Sequence, residues 1–281
     1  MEYFIRHTGV LEISNDDITS MFKQGLVGIH YGSDYKVDPS ELLKPDAYKE
    51  SSAVRSMNYL LNLAKSGGYI WSDYSSISRT LIGKVYPNSK VFLKEFTPTK
   101  NLEYFTKNEK NKLFMKCIQL DETQEIKIDQ QLPLRARRPR QGTFVKWHKS
   151  YGKISKIFGG NEAINCWNDL TPDQQEILVY EYLRETENDE YHIKYLLMPI
   201  GRTMKDIDIY GINSSGNKIF IQVTNLKEDH EKIEALRQYP SLLVYAGDVK
   251  NRIENNIKFI NVYDIFDYFK SDSMLIRMMN V

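Results

Sequence analysis

What this sequence lacks narrows it first. It holds only two cysteines, Cys117 and Cys166, far apart and each beside apolar or aromatic neighbours. That is too few for a disulfide framework or a thiolate zinc site. No apolar run approaches the roughly 18 residues that a membrane-spanning helix needs. The N-terminus has no basic-then-apolar signal pattern. There is no internal repeat and no low-complexity segment. Neither sign of charge dominates, with 38 Lys and Arg against 37 Asp and Glu. A disulfide scaffold, a membrane span and a charged tail are set aside. The expectation is a soluble cytoplasmic protein with no membrane partner.

What is present is unevenly placed. Residues 1–157 carry 25 Lys and Arg against 17 Asp and Glu, whereas residues 158–281 carry 13 against 20. A basic half followed by an acidic half predicts two domains, 1–157 and 158–281, the first suited to a polyanion. An apolar content of 41% in 281 residues is enough for two cores.

The first half alternates short β-like runs with turn signals. Residues 3–7, 26–32, 69–71, 77–86, 91–96, 113–120 and 143–147 read as strands. Ile18 to Gln24 and Ser51 to Leu63 have helical periods. Many short strands predict a small, strongly bent sheet or barrel. Near its end stand Arg135, Arg137, Arg138 and Arg140, with Pro133 and Pro139 nearby. Four planar guanidinium forks in six residues suit a loop that grips phosphates. Lys146, His148 and Lys149 extend the patch. The plain alternative is a solvated surface loop.

The second half reads α-β-β-β-α-β-β-α, which predicts a mixed α/β sheet. A helix starts at Thr171-Pro172 and runs to about Arg184, with Thr171 as N-cap. Two apolar strands then flank the turn Asn213-Ser214-Ser215-Gly216-Asn217. The first reads Asp206-Ile207-Asp208-Ile209-Tyr210-Gly211, which puts an acid on the strand. The second reads Lys218 to Asn225. Residues two apart on a strand share a face, so Gln222 and Thr224 point the same way, as do Asp206 and Asp208. In a hairpin, Asp208 can meet Gln222. A carboxylate, an amide carbonyl and the backbone carbonyl of Val223 would serve a hard cation such as Mg²⁺ or Mn²⁺. On a plain hairpin the same aspartates are solvated edge residues.

This layout resembles the PD-(D/E)XK nuclease superfamily, and within it the Mrr-like restriction endonucleases. There an acid sits in one strand, and after a turn the next strand reads Glu or Gln, any residue, Lys. A preceding helix often carries a further Glu. The resemblance covers about residues 168–265. It implies Glu176 as the helix acid, Asp208 as the metal-binding acid and Gln222 as its partner. Thr224 stands where the lysine belongs. Lys218 shares the strand face but lies roughly 13 Å before Gln222, at about 3.3 Å per residue. Lys227, three residues past Thr224, is the preferred substitute. Without one, the domain binds and does not cleave.

The first half resembles the EVE/PUA-like β-barrels, through the segment from Gly25 to Gly32, the Gly-Gly-Tyr-Ile-Trp strand, Leu81 to Val85, and Arg137 to Trp147. That likeness implies a nucleic-acid-reading barrel in which His30, Tyr31, Tyr69, Trp71 and Tyr74 offer stacking faces and edge hydrogen bonds to a flipped base. Together the two halves imply a restriction-type, modification-dependent DNA endonuclease, acting as a homodimer. The alternatives are an inactive nuclease-like binding protein and a subunit of a larger defence complex.

Overall fold

A computed structural model describes residues 1–7, 13–99, 112–140, 142–160, 164–186, 191–197, 207–224, 230–237, 241–245, 250–270 and 273–280. They are mixed α+β and form two compact units, Met1–Glu162 and Ala163–Val281. Among the described residues, no helix is long and apolar enough to cross a membrane.

The first unit contains β1 (Glu2–His7), α1 (Asn15–Gln24), β2 (Leu26–Ile29), α2 (Ser51–Ser66), β3 (Gly68–Tyr74), β4 (Arg79–Val85), β5 (Val91–Phe96), β6 (Leu113–Gln119), β7 (Glu122–Glu125), α3 (Leu132–Ala136), β8 (Phe144–Lys146) and α4 (Lys153–Phe158). Local signals explain the helix ends. Ser14 caps α1 by accepting from the Asp17 N–H, and Gly25 ends it in the left-handed region at φ 62.

The strands make two open sheets, β7-β4-β3-β1-β8 and β2-β6-β5. The expected barrel is therefore corrected: among the described residues neither sheet closes. One physical reason is the parallel pairing of β1 with β3, which needs a crossover between them. The other is at the edges. The outer strands β7 and β8 are four and three residues long and, among the described residues, have no strand on their outer sides. The two sheets are joined at one place. The Leu120 N–H bonds to the Gly25 carbonyl beside β2, and the next N–H, of Asp121, bonds to Lys84 on β4. The chain thus steps from one sheet to the other in a single residue.

Each face of the five-stranded sheet has its own core, as strand alternation requires. Tyr3, Ile5, Ile70 and Tyr74 pack with the second sheet, α1 and α2. Phe4, Trp71 and Ile82 pack with Trp147 and with Leu134, Ile154 and Ile157 from α3 and α4.

The second unit contains α5 (Pro172–Glu185), β9 (Tyr195–Leu197), β10 (Ile209–Ile212), β11 (Lys218–Thr224), α6 (His230–Leu236), β12 (Ser241–Tyr245), β13 (Arg252–Glu254), β14 (Ile257–Asn261), α7 (Val262–Lys270) and α8 (Ser273–Asn280). They build one six-stranded sheet, β13-β14-β12-β11-β10-β9. It is mixed: β11, β12 and β14 run parallel, and the other pairs are antiparallel. Ile209, Ile219, Ile221 and Ile260 meet Leu178 and Val179 of α5 and Ile265 and Phe266 of α7. Ile233 and Leu236 of α6 pack with Ile257 and Phe259.

Candidate functional site

The β10–β11 hairpin is built by its turn. Asn213 Oδ1 accepts from the N–H groups of Ser215 and Asn217, and Gly216 takes φ 83. The turn fixes the register, pairing Tyr210 with Phe220 and Ile209 with Ile221. Carried one residue further, that register sets Asp208 opposite Gln222 on the face of Tyr210 and Phe220.

The two side chains meet. Gln222 Nε2 donates to Asp208 Oδ2 at 2.7 Å, and the Val223 N–H donates to the same oxygen at 2.8 Å. The amide orientation follows from chemistry, since only its NH₂ end can donate to a carboxylate. Asp208 is half-buried, whereas Gln222 and Thr224 are buried at 7% and 5% exposure. Glu176 is half-buried on α5. That helix packs against the Ile219 and Ile221 face, and Gln222 and Thr224 alternate to the other. Asp206 and Lys227 lie outside the described residues. Among the described residues, no group of three or more His, Cys, Asp or Glu is gathered as a metal cage.

In the first unit the arginine cluster divides. Arg135 donates to the carbonyls of Gln130, Ile126 and Lys127 and to Thr80 Oγ1, and its guanidinium lies 5.2 Å from the Trp71 ring. Arg138 bonds to the buried carboxylate of Asp73 and to the Arg135 carbonyl. Asp73 also accepts from Trp71 Nε1 at 2.8 Å and Thr80 Oγ1 at 3.0 Å. Arg135 and Arg138 are thus fasteners of their own unit. Arg137 lies 5.8 Å from the Tyr151 ring, Arg140 is exposed, and Lys146 is half-buried with its ammonium 5.5 Å from the Tyr59 ring.

The five aromatic candidates for a base pocket are dispersed. Trp71 and Tyr74 are fully buried on opposite faces of β3, in different cores. Tyr74 stacks on His7 at 4.4 Å and donates to the Leu26 carbonyl. Tyr69 packs beside Phe158 at 5.8 Å. His30 and Tyr31 do come together, around residues that sequence reasoning did not single out. His30 Nδ1 lies 2.9 Å from Asp34 Oδ2, which also accepts from the Tyr31 N–H and from Lys116. Lys116 is 1% exposed, bonds to Tyr48 Oη at 3.3 Å and lies 5.4 Å and 5.0 Å from the Tyr31 and Tyr48 rings. Burial pushes the Asp34 carboxyl up, but the His30 hydrogen bond and the Lys116 charge outweigh it, so the net shift is downward. Asp34 Oδ1 and Tyr31 Oη are buried with no hydrogen-bond partner among the described residues. The signal for this cluster was a lysine inside the apolar run Leu113 to Leu120.

Against known proteins the chain gives no match: no family model, no curated protein and no solved structure matches it.

Proposed function

We propose that the chain is a metal-dependent nuclease of the restriction type, with the second unit cleaving DNA and the first unit binding it. The observation that carries this reading is the contact of Asp208 with Gln222 across the hairpin, next to the Val223 backbone. The donor set fits a hard cation by its chemistry, with one carboxylate, one amide oxygen and one backbone carbonyl. For Gln222 to serve, its amide must turn so that Oε1 replaces the NH₂ now facing Asp208. Bound there, Mg²⁺ or Mn²⁺ would polarise a phosphate and acidify a water. Lys227 is proposed as the cation near that water, in place of Thr224; Glu176, on the helix that covers the other face of the sheet, is left out of the site. Cutting two strands calls for two copies, so a homodimer belongs to the reading. A modified base is the proposed mark that directs cutting.

The test is incubation of the full chain with modified and unmodified supercoiled plasmid, with Mg²⁺ or with EDTA. Mg²⁺-dependent nicking or linearisation is expected. Intact plasmid of both kinds would refute the reading.

A second reading is favoured by one specific observation: the amide NH₂ of Gln222 and the Val223 N–H already engage Asp208. In that reading the second unit is a binding module, alone or within a larger defence complex. It expects DNA binding that survives both EDTA and Asp208→Ala.

A further inference from the structure

The chain satisfies only one side of the Asp34 carboxylate. Asp34 is 5% exposed and sits in the short turn Gly32–Lys36 that follows β2. Its Oδ2 takes three donors: His30 Nδ1 at 2.9 Å, the Tyr31 N–H at 3.0 Å and the Lys116 ammonium. Its Oδ1 is buried and takes none among the described residues. The Tyr48 hydroxyl, which also meets Lys116, does not supply one, since it gives its hydrogen to the Leu42 carbonyl at 2.6 Å. Beside a buried ammonium Asp34 is ionised, and an ionised carboxylate only accepts. A buried acceptor left bare is costly. The unused lone pairs of Oδ1 call for a donor from outside the chain.

Aromatic rings surround this acid. Those of Tyr31 and Tyr48 flank Lys116, and Tyr35 meets the His30 ring edge-on at 5.1 Å. His30, Tyr31 and Tyr35 are half-buried, so the cluster reaches the surface on their side. The turn has open space beside it: a side chain at Gly32 would meet no atom within 4 Å. A planar heterocycle with an amino group suits both features, the rings by its face and Oδ1 by its edge. Cytosine and adenine present an amino group where thymine presents a carbonyl oxygen. Only the amino group can donate to Oδ1.

We infer that Asp34 is the specificity-determining residue of a base-binding site in the first unit, and that its Oδ1 reads the amino group of an unpaired base such as cytosine. The inference rests on the reading of the first unit as the DNA-binding part. It goes further by naming the class of base and the atom that reads it.

The experiment is fluorescence anisotropy of the full chain in EDTA, with labelled duplexes that carry one unpaired cytosine or one unpaired thymine. An unpaired base leaves the stack at low cost. The wild type is expected to bind the cytosine duplex about tenfold more tightly, the scale of one well-made base contact. Asp34→Asn is expected to reverse that order. The Tyr31 N–H and Lys116 hold its amide oxygen at the Oδ2 position, so its NH₂ takes the Oδ1 position and donates to the thymine carbonyl. Asp34→Asn with Lys116→Met removes the buried pair together, and the same reversal is expected of it should the single variant unfold. Equal binding of the two duplexes by the wild type would overturn the inference, with a water alone serving Oδ1, and would leave the DNA-binding reading standing. An Asp34→Asn protein that unfolds like the wild type and keeps the cytosine preference, or weakens on both duplexes alike, would overturn it too. No binding of either duplex would overturn the inference and the DNA-binding reading together, while Mg²⁺-dependent cleavage by the second unit is scored separately.

Discussion

Gln222 donates its side-chain amide to the Asp208 carboxylate at 2.7 Å, and the Val223 N–H reaches the same oxygen. A carboxylate held by two N–H groups is fixed in place. It is also partly neutralised, so a cation that binds here competes with one of those donors.

The absent lysine gives the first prediction. Lys227→Ala should lower the Mg²⁺-dependent cleavage rate by about 10²-fold or more, the scale of a lost proton-handling group. Thr224→Lys in that background should restore part of it. Cleavage time courses on supercoiled plasmid check this. Full activity in Lys227→Ala would remove Lys227 from the account.

The arginine cluster gives the second. Arg138→Ala leaves the Asp73 carboxylate, 3% exposed, without its cation. The expected destabilisation is about 3 kcal/mol, at the low end for a broken buried pair because Arg138 is part-exposed. Arg140→Ala should change stability by less than about 0.5 kcal/mol, as exposed substitutions do. Urea midpoints of the two variants separate a fastener from a surface cation. Equal midpoints would contradict the division of the cluster.

His7 sets the third. It is fully buried, and its Nε2 accepts the Gly28 N–H at 3.1 Å. Burial pushes its pKa down to about 4 from the ordinary 6.5. Between those values the unfolded chain holds the proton and the folded chain does not. Stability is therefore full above pH 6.5 and is lost as pH falls toward 4, by about 3 kcal/mol in all. Urea titrations from pH 7 to pH 4 should show this slope, and His7→Gln should flatten it.

The buried pair Lys116 and Asp34 sets the fourth. Lys116→Met leaves the buried Asp34 carboxylate with His30 and the Tyr31 N–H but without its lysine, and should cost about 3 kcal/mol, the low end for a broken buried pair. Adding Asp34→Asn should recover much of that loss. Thermal unfolding of the single and double variants checks it. A double variant no more stable than Lys116→Met would argue against the pair.

How far the sequence discloses this depends on where the determinants lie. The helices from Ser51 and Thr171 show through periodicity and caps, because those signals are local. Asp208 opposite Gln222 is legible for the same reason, since a short turn sets the register. Strand β7 is not legible: Glu-Thr-Gln-Glu is wholly exposed and becomes a strand only by pairing with β4. Nor is the division among the arginines. Asp73 lies 65 residues before Arg138 in sequence, and only the tertiary fold brings the buried carboxylate to the loop. The dispersal of Trp71 and Tyr74 was readable, because residues three apart on a strand face opposite ways.

The most direct test of the central claim is Mn²⁺ binding, followed by electron paramagnetic resonance on the full chain and on Asp208→Asn. That variant keeps an oxygen for Gln222 and Val223 but removes the charge. The wild type is expected to bind Mn²⁺ and the variant to lose that site while unfolding at a similar temperature. Equal Mn²⁺ binding by the two proteins would contradict the account.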